Sequence, residues 1–273
     1  MPDLPPTGLI VADTTQHLSK VHNSLYGSGM MDSVLPLLTN DLPVMAPPDP
    51  QADARSLRRR LRAESRESHE ALDATFDGMA DAAGPDTYAR FLLVNEACHR
   101  AIEPILERSP LPDVAPGFRV KSRSPSLAAD LDAMGLRPLE APAFPLSAPN
   151  AAETVGIVYV LEGSRLGAGF ILSRLRGRDL GEAWSKAAFA YLEGPDEPHA
   201  LRGFLIEATA SLGSGDEGER NVDRAVAAAD ATFRYFLDVE RLSRADAERL
   251  SSADAERLSS ADAERLSRAG ERA

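Results

Sequence analysis

The segment RAESRESHEALDATF sets Arg62, Arg66, His69, Asp73 and Phe76 at spacings of four, three, four and three. In a helix those positions line one side. An imidazole in such a line can act as a neutral metal ligand through one ring nitrogen, while a carboxylate one turn later fixes the other. The guanidiniums one and two turns before it are suited to bidentate grip of carboxylates. Leu57, Leu61, Leu72 and Phe76 mark an overlapping apolar side, which puts His69 at the edge of a buried face. The same pattern also fits an ordinary helix with a packing histidine and solvated arginines, and the segment alone does not separate the two.

A second stretch, YVLEGSRLGAG, carries Gly163, Gly167 and Gly169 inside an apolar helical pattern. Each interior glycine costs a helix roughly 1 kcal/mol relative to alanine. With Gly156 and Val160 added, the offsets are four, three and four, so Gly156, Val160, Gly163 and Gly167 share one nearly bare face. Two physical causes produce such a face: a second helix packed very close, or a flat ligand laid against the main chain. Glu162 and Arg165 exclude a membrane dimer of the GxxxG kind. A third candidate is Glu96 with His99, the Glu-x-x-His spacing of di-iron carboxylate bundles, but no second such pair occurs. Ordinary packing beside Cys98 and Ile102 is the alternative for His99. His17, His22 and His199 show no comparable pattern.

The elements that must carry these residues are helices. Apolar residues recur three or four apart over residues 56–76, 86–107 and 124–135, and again from residue 151 onward. Further helices are expected over about 180–193, 199–212 and 221–242. Pro85 gives a helix-start signal, Pro110, Pro112 and Pro116 interrupt the chain, and the Pro-rich stretch RPLEAPAFPLSAPN precedes the glycine helix. No alternating strand pattern appears, so the expected fold class is all-α. Residues 1–54 lack any sustained period and read as a disordered extension. Residues 55–240 form the expected helical domain. Residues 241–273 are an octapeptide tandem repeat, RLSRADAE and its variants. Eight residues advance a helix by about 80° past two turns, so Leu242, Leu250, Leu258 and Leu266 spiral without forming a coiled-coil seam. The tail is expected to extend the last core helix as a solvated one.

Composition narrows the partners. A formal net charge of -12 argues against nucleic acid and a basic membrane-facing surface. The one cysteine, Cys98, excludes an internal disulfide framework and CxxC sites. The N-terminus MPDLPPTGL has no positive charge before its short apolar run, and no stretch reads as apolar enough to span a bilayer. A cytoplasmic location is the expectation.

His69 in its H-x-x-L-D setting, followed by YVLEGSRLG and the apolar FIL, resembles the bacterial biliverdin-producing heme oxygenases over about residues 57–237. The resemblance implies a multi-helical bundle with heme between the first core helix and a kinked glycine helix. It implies His69 as proximal iron ligand, Asp73 as its orienting partner and Arg62 and Arg66 as partners of the propionates. Gly163 and Gly167 would lie over the porphyrin with Ser164 beside them, in the place of an Asp of the animal-type enzymes. Where the subgroup continues LGG, this chain has Leu166, Gly167, Ala168 and Gly169, which is expected to add a methyl beside the pocket. Arg202 is a candidate for the basic residue supplied by a later helix. The implied reaction cleaves heme, cofactor and substrate at once, with O₂ and reductant to biliverdin, carbon monoxide and ferrous iron. The electron donor would be a separate ferredoxin, flavodoxin or their reductase, because no flavin or nicotinamide fingerprint is present. A non-catalytic heme-binding or sensor module of the same fold is the alternative.

Overall fold

Local signals set most of the helix boundaries. The computed structural model describes residues 50–77, 79, 84–178, 180–194 and 200–270, and every regular element among them is helical. The expected disordered extension over residues 1–54, with His17 and His22, lies outside these residues except for residues 50–54, which are helical and not disordered, and His199 also lies outside. Helix α1 spans Pro50–Glu64 and opens on a proline, whose missing N–H is tolerated in the first turn. Helix α2 spans Arg66–Thr75, α3 Pro85–Glu107, α4 Leu111–Val114 and α5 Ser124–Met134. Helix α5 stops at Gly135, whose φ of 68° suits a residue without Cβ. Helix α6 spans Ala151–Arg176 and starts on a full capping box: Asn150 accepts from the Glu153 N–H at 3.0 Å, and Glu153 accepts from the Asn150 N–H at 2.8 Å. Helices α7, Ala200–Leu212, and α8, Gly215–Gly270, complete the order.

Two expectations are corrected. The single helix expected over residues 56–76 is two, broken at Ser65. The Ser65 hydroxyl donates to the Leu61 carbonyl at 2.6 Å, a back-bond that competes with the helical ladder and bends helices. The amides of Ser65 and His69 still reach Leu61 and Ser65 carbonyls at 3.2 and 3.0 Å, so the side-chain register survives the break. The helix expected over 180–193 is instead a loop with one 3₁₀ turn at Glu182–Trp184. Asp130, buried on α5, accepts from the backbone N–H groups of Ala190 and Tyr191, both at 2.8 Å, and holds that loop against the bundle.

Helix α8 is the common support. It packs along α6 and also meets α1, α2 and α3, while α7 lies against α1 and α6, and α5 against α3. Two apolar cores result. One gathers Leu57, Leu61, Ile102, Val155, Ile157 and Phe204. The other gathers Tyr88, Leu92, Leu127, Leu172, Leu175 and Tyr191. The N-terminal half of α6 feeds the first through Leu161 and the C-terminal half feeds the second from Ala168, so the glycine stretch sits at the junction of the two. Helix α6 is long and apolar enough to cross a bilayer, with a mean hydropathy of 1.4, contrary to the expectation from sequence. Its packing on α8 and its buried Glu162 and Arg165 mark it as the core helix of the bundle. The backbone of α8 stays helical through the octapeptide repeats to Gly270.

Candidate functional site

The four positions of the bare face on α6 have different surroundings. A Cβ built on Gly156 would stand 2.0 Å from the Ala225 carbonyl oxygen and 2.8 Å from the Ala229 amide nitrogen of α8. That glycine is explained by close helix packing. A Cβ built on Gly163 or on Gly167 meets nothing within 4 Å. Helix packing therefore does not account for these two, and open space lies over the backbone there. Ala168, expected beside this face, is instead buried in the second core, so its methyl points into packing and not into the cleared space.

On α2, the His69 side chain is half-buried and its ring centroid lies 5.0 Å from that of Phe233 on α8. Its Nε2 is 3.6 Å from Oδ2 of Asp73, which is mostly exposed. Next to it, Ser68 donates to Asp230 Oδ1 at 2.5 Å, and Asp230 Oδ2 accepts from Arg234 at 2.8 Å, which pins α2 onto α8. Arg66 is exposed and 3.6 Å from Glu70, and Arg62 is exposed on the far side of the Ser65 break. The structure thus brings His69 and Asp73 together and leaves both guanidiniums on the surface. Arg202 lies on the exposed side of α7.

Beneath the glycine stretch is a buried polar cluster that sequence spacing did not reveal. Ser164 donates to the Leu161 carbonyl at 2.8 Å, and its hydroxyl lies beside that of Tyr191. Tyr191 donates on to Asn95 Oδ1 at 3.1 Å. Burial pushes the Tyr191 phenol up to about 12 against the opposing influence of Arg123 and Ser164, so it stays a neutral donor at physiological pH. Glu162 and Arg165 form a buried pair at 2.6 Å, and burial raises the Glu162 carboxyl against the Arg165 charge. His99 stands edge-on to the Tyr191 ring at 6.0 Å, with Nδ1 2.9 Å from Glu103 Oε1. Glu96 accepts from Arg100 at 2.8 Å, so Glu96 and His99 are each committed to a local partner. Among the described residues no group of three or more His, Cys, Asp or Glu is placed to hold a metal ion, which removes the support for a di-iron site. Cys98 is wholly buried and its thiol is pushed well above its ordinary range by burial, which leaves it inert.

An all-helical bundle with a histidine-bearing helix and a glycine-cleared helix, both seated on α8, defines a heme-oxygenase-like protein. No family model matches the chain. The heme oxygenase of Xanthomonas campestris pv. campestris is 34% identical over 166 residues, 60% of this chain and 93% of that protein. Heme oxygenase PigA of Pseudomonas aeruginosa is 28% identical over 147 residues, 53% of this chain and 74% of that protein. The NO- and CO-bound heme oxygenase from Neisseria meningitidis superposes with a TM-score of 0.53 at 21% identity, covering 68% of this chain and 91% of that one, a likeness of fold. The chain belongs to the heme oxygenase family.

Proposed function

We propose that this chain is a heme oxygenase that cleaves heme with O₂ and reductant to biliverdin, carbon monoxide and ferrous iron. The observation that carries the reading is the contrast on one face of α6, where Gly156 is filled by α8 while Gly163 and Gly167 border open space. The residues fit a flat ligand, because a backbone without side chains lets a planar ring approach, and His69 on α2 keeps an accessible imidazole.

In this reading His69 holds the iron and Asp73 orients the ring. Gly163 and Gly167 would leave the α6 main chain clear for the ring, and Arg62 and Arg66, exposed on the surface, would pair with the propionates. Bound heme supplies the iron at which O₂ is activated. His69 would hold that iron through a neutral imidazole, which supplies less electron push than a thiolate would. Ser164, Tyr191 and Asn95 would offer neutral hydrogen-bonding groups beneath the cleared face, able to order water without a strong acid. The Glu162 and Arg165 pair braces the turn that carries Gly163. Electrons come from a separate ferredoxin, flavodoxin or their reductase.

Titration with hemin, followed by reductant and O₂ and read by absorbance, tests the proposal. The expected result is a Soret band that decays as a bilin spectrum grows. A stable Soret band with no bilin would instead identify a non-catalytic heme-binding module, and no Soret band at all would remove heme from the account.

A further inference from the structure

Glu103 is the most heavily engaged carboxylate in the polar interior. It lies on α3 one turn after His99 and is buried. Its Oε1 accepts from His99 Nδ1 at 2.9 Å and from the Arg123 amide at 2.7 Å. Its Oε2 accepts from the hydroxyls of Ser122 at 2.5 Å and Ser124 at 2.7 Å. With donors on both oxygens, this carboxylate has no room to give a hydrogen bond, so His99 Nδ1 must be the donor between them. A neutral imidazole that donates from Nδ1 presents Nε2 as an acceptor. His99 Nε2 is buried, and among the described residues no group hydrogen-bonds to it. One neighbour of the ring is the apolar Phe236 at 6.5 Å, and another is Tyr191, whose hydroxyl donates to Asn95 and lies beside that of Ser164. A buried acceptor in polar surroundings takes a water.

We propose that Glu103 is a positioning residue that fixes the His99 imidazole with its proton on Nδ1, leaving Nε2 as acceptor for one water in the cluster shared with Tyr191 and Ser164. Its bearing on turnover rests on the heme oxygenase reading; the state of the ring does not. The same carboxylate also fastens α3 to the start of α5, and the test must separate that fastening from the positioning.

The first measurement is on the ¹⁵N-labelled full chain without heme, using long-range ¹H–¹⁵N correlation of the imidazoles at mildly alkaline pH, with His99 assigned by its loss in His99→Asn. The expected His99 signal is the Nδ1-protonated tautomer. A ring protonated on Nε2, alone or as the cation, overturns the proposal. A double variant, Ser122→Ala with Ser124→Ala, removes much of the fastening and is expected to keep the tautomer; its loss there would reduce Glu103 to a staple. The second measurement is the pH midpoint of the ferric Soret transition in the hemin-loaded chain. Glu103→Ala and His99→Ala are expected to shift it in the same direction by about one unit, and the two substitutions combined no further. A wild-type midpoint in a folded Glu103→Ala protein also overturns the positioning. If the chain takes up no hemin, the functional reading fails while the tautomer still decides the role of Glu103.

Discussion

A methyl group added at Gly156 would lie 2.0 Å from the Ala225 carbonyl oxygen, a contact that only separation of α6 from α8 relieves. Gly156→Ala is therefore expected to destabilise the fold by about 1 to 3 kcal/mol, read as a lowered denaturant midpoint. At Gly163 and Gly167 the same methyl meets nothing within 4 Å, and alanine there gains about 1 kcal/mol of helix propensity. The expected signature of Gly163→Leu or Gly167→Leu is an unchanged helical circular dichroism spectrum with lost hemin uptake or bilin formation. Normal bilin yield from either leucine variant would take the glycine face out of the mechanism. His69→Ala removes a half-buried ring and is expected to change stability by no more than about 1 kcal/mol. The Soret spectrum should lose its imidazole ligation and recover it with added imidazole; an unaltered spectrum would assign the ligand elsewhere. The sequence pattern picked out these residues because a cleared face and a helical imidazole are local features. It could not tell Gly156 from Gly163, since the difference lies in what α8 brings from more than sixty positions away.

The helices with strong end signals are where sequence and structure agree most closely. Pro85 opens α3, Asn150 with Glu153 opens α6 and Gly135 closes α5. The departures occur where a side chain competes with the backbone or a distant group overrides propensity. Ser65 breaks one helix into two through its own hydroxyl. Asp130 takes the amides of Ala190 and Tyr191, which a helix over 180–193 would have used internally. The buried cluster escaped notice because its partners lie far apart along the chain: Asn95, Ser164 and Tyr191 meet only once the loop is held down. Ser68→Ala is expected to cost about 1 kcal/mol by removing the donor to Asp230 Oδ1, and to weaken hemin affinity with His69 intact because α2 loses a tie to α8. Equal affinity would show that the tie does not place the histidine. The clamp between α3 and α5 gives a pH dependence. Burial raises the Glu103 carboxyl, but hydrogen bonds from His99, Ser122, Arg123 and Ser124 outweigh it and hold the group at about 2, below its ordinary 4.5. Its stabilisation is complete above 4.5 and is lost as pH falls toward 2. Glu103→Gln is expected to be less stable near neutrality and to show a flatter fall of the urea midpoint across that acid range.

For the whole molecule, the all-α class and most of the helices followed from the 3.6-residue period, while the central place of α8 did not, because an apolar stripe says that a helix face is covered and not which helix covers it. Ser243 is the last buried residue of α8 whose side chain the structure describes. Removal of residues 250–273 is thus expected to leave hemin affinity unchanged and the thermal midpoint within about 2 °C. A larger drop would give the repeats a share in the core. The open space over Gly163 and Gly167 has a consequence for selection. Alanine at either position improves the helix without a clash, so a screen for thermal resistance alone would favour those replacements whatever they do to the proposed activity. Folding supplies no reason for glycine at either position, and the proposed heme reading does.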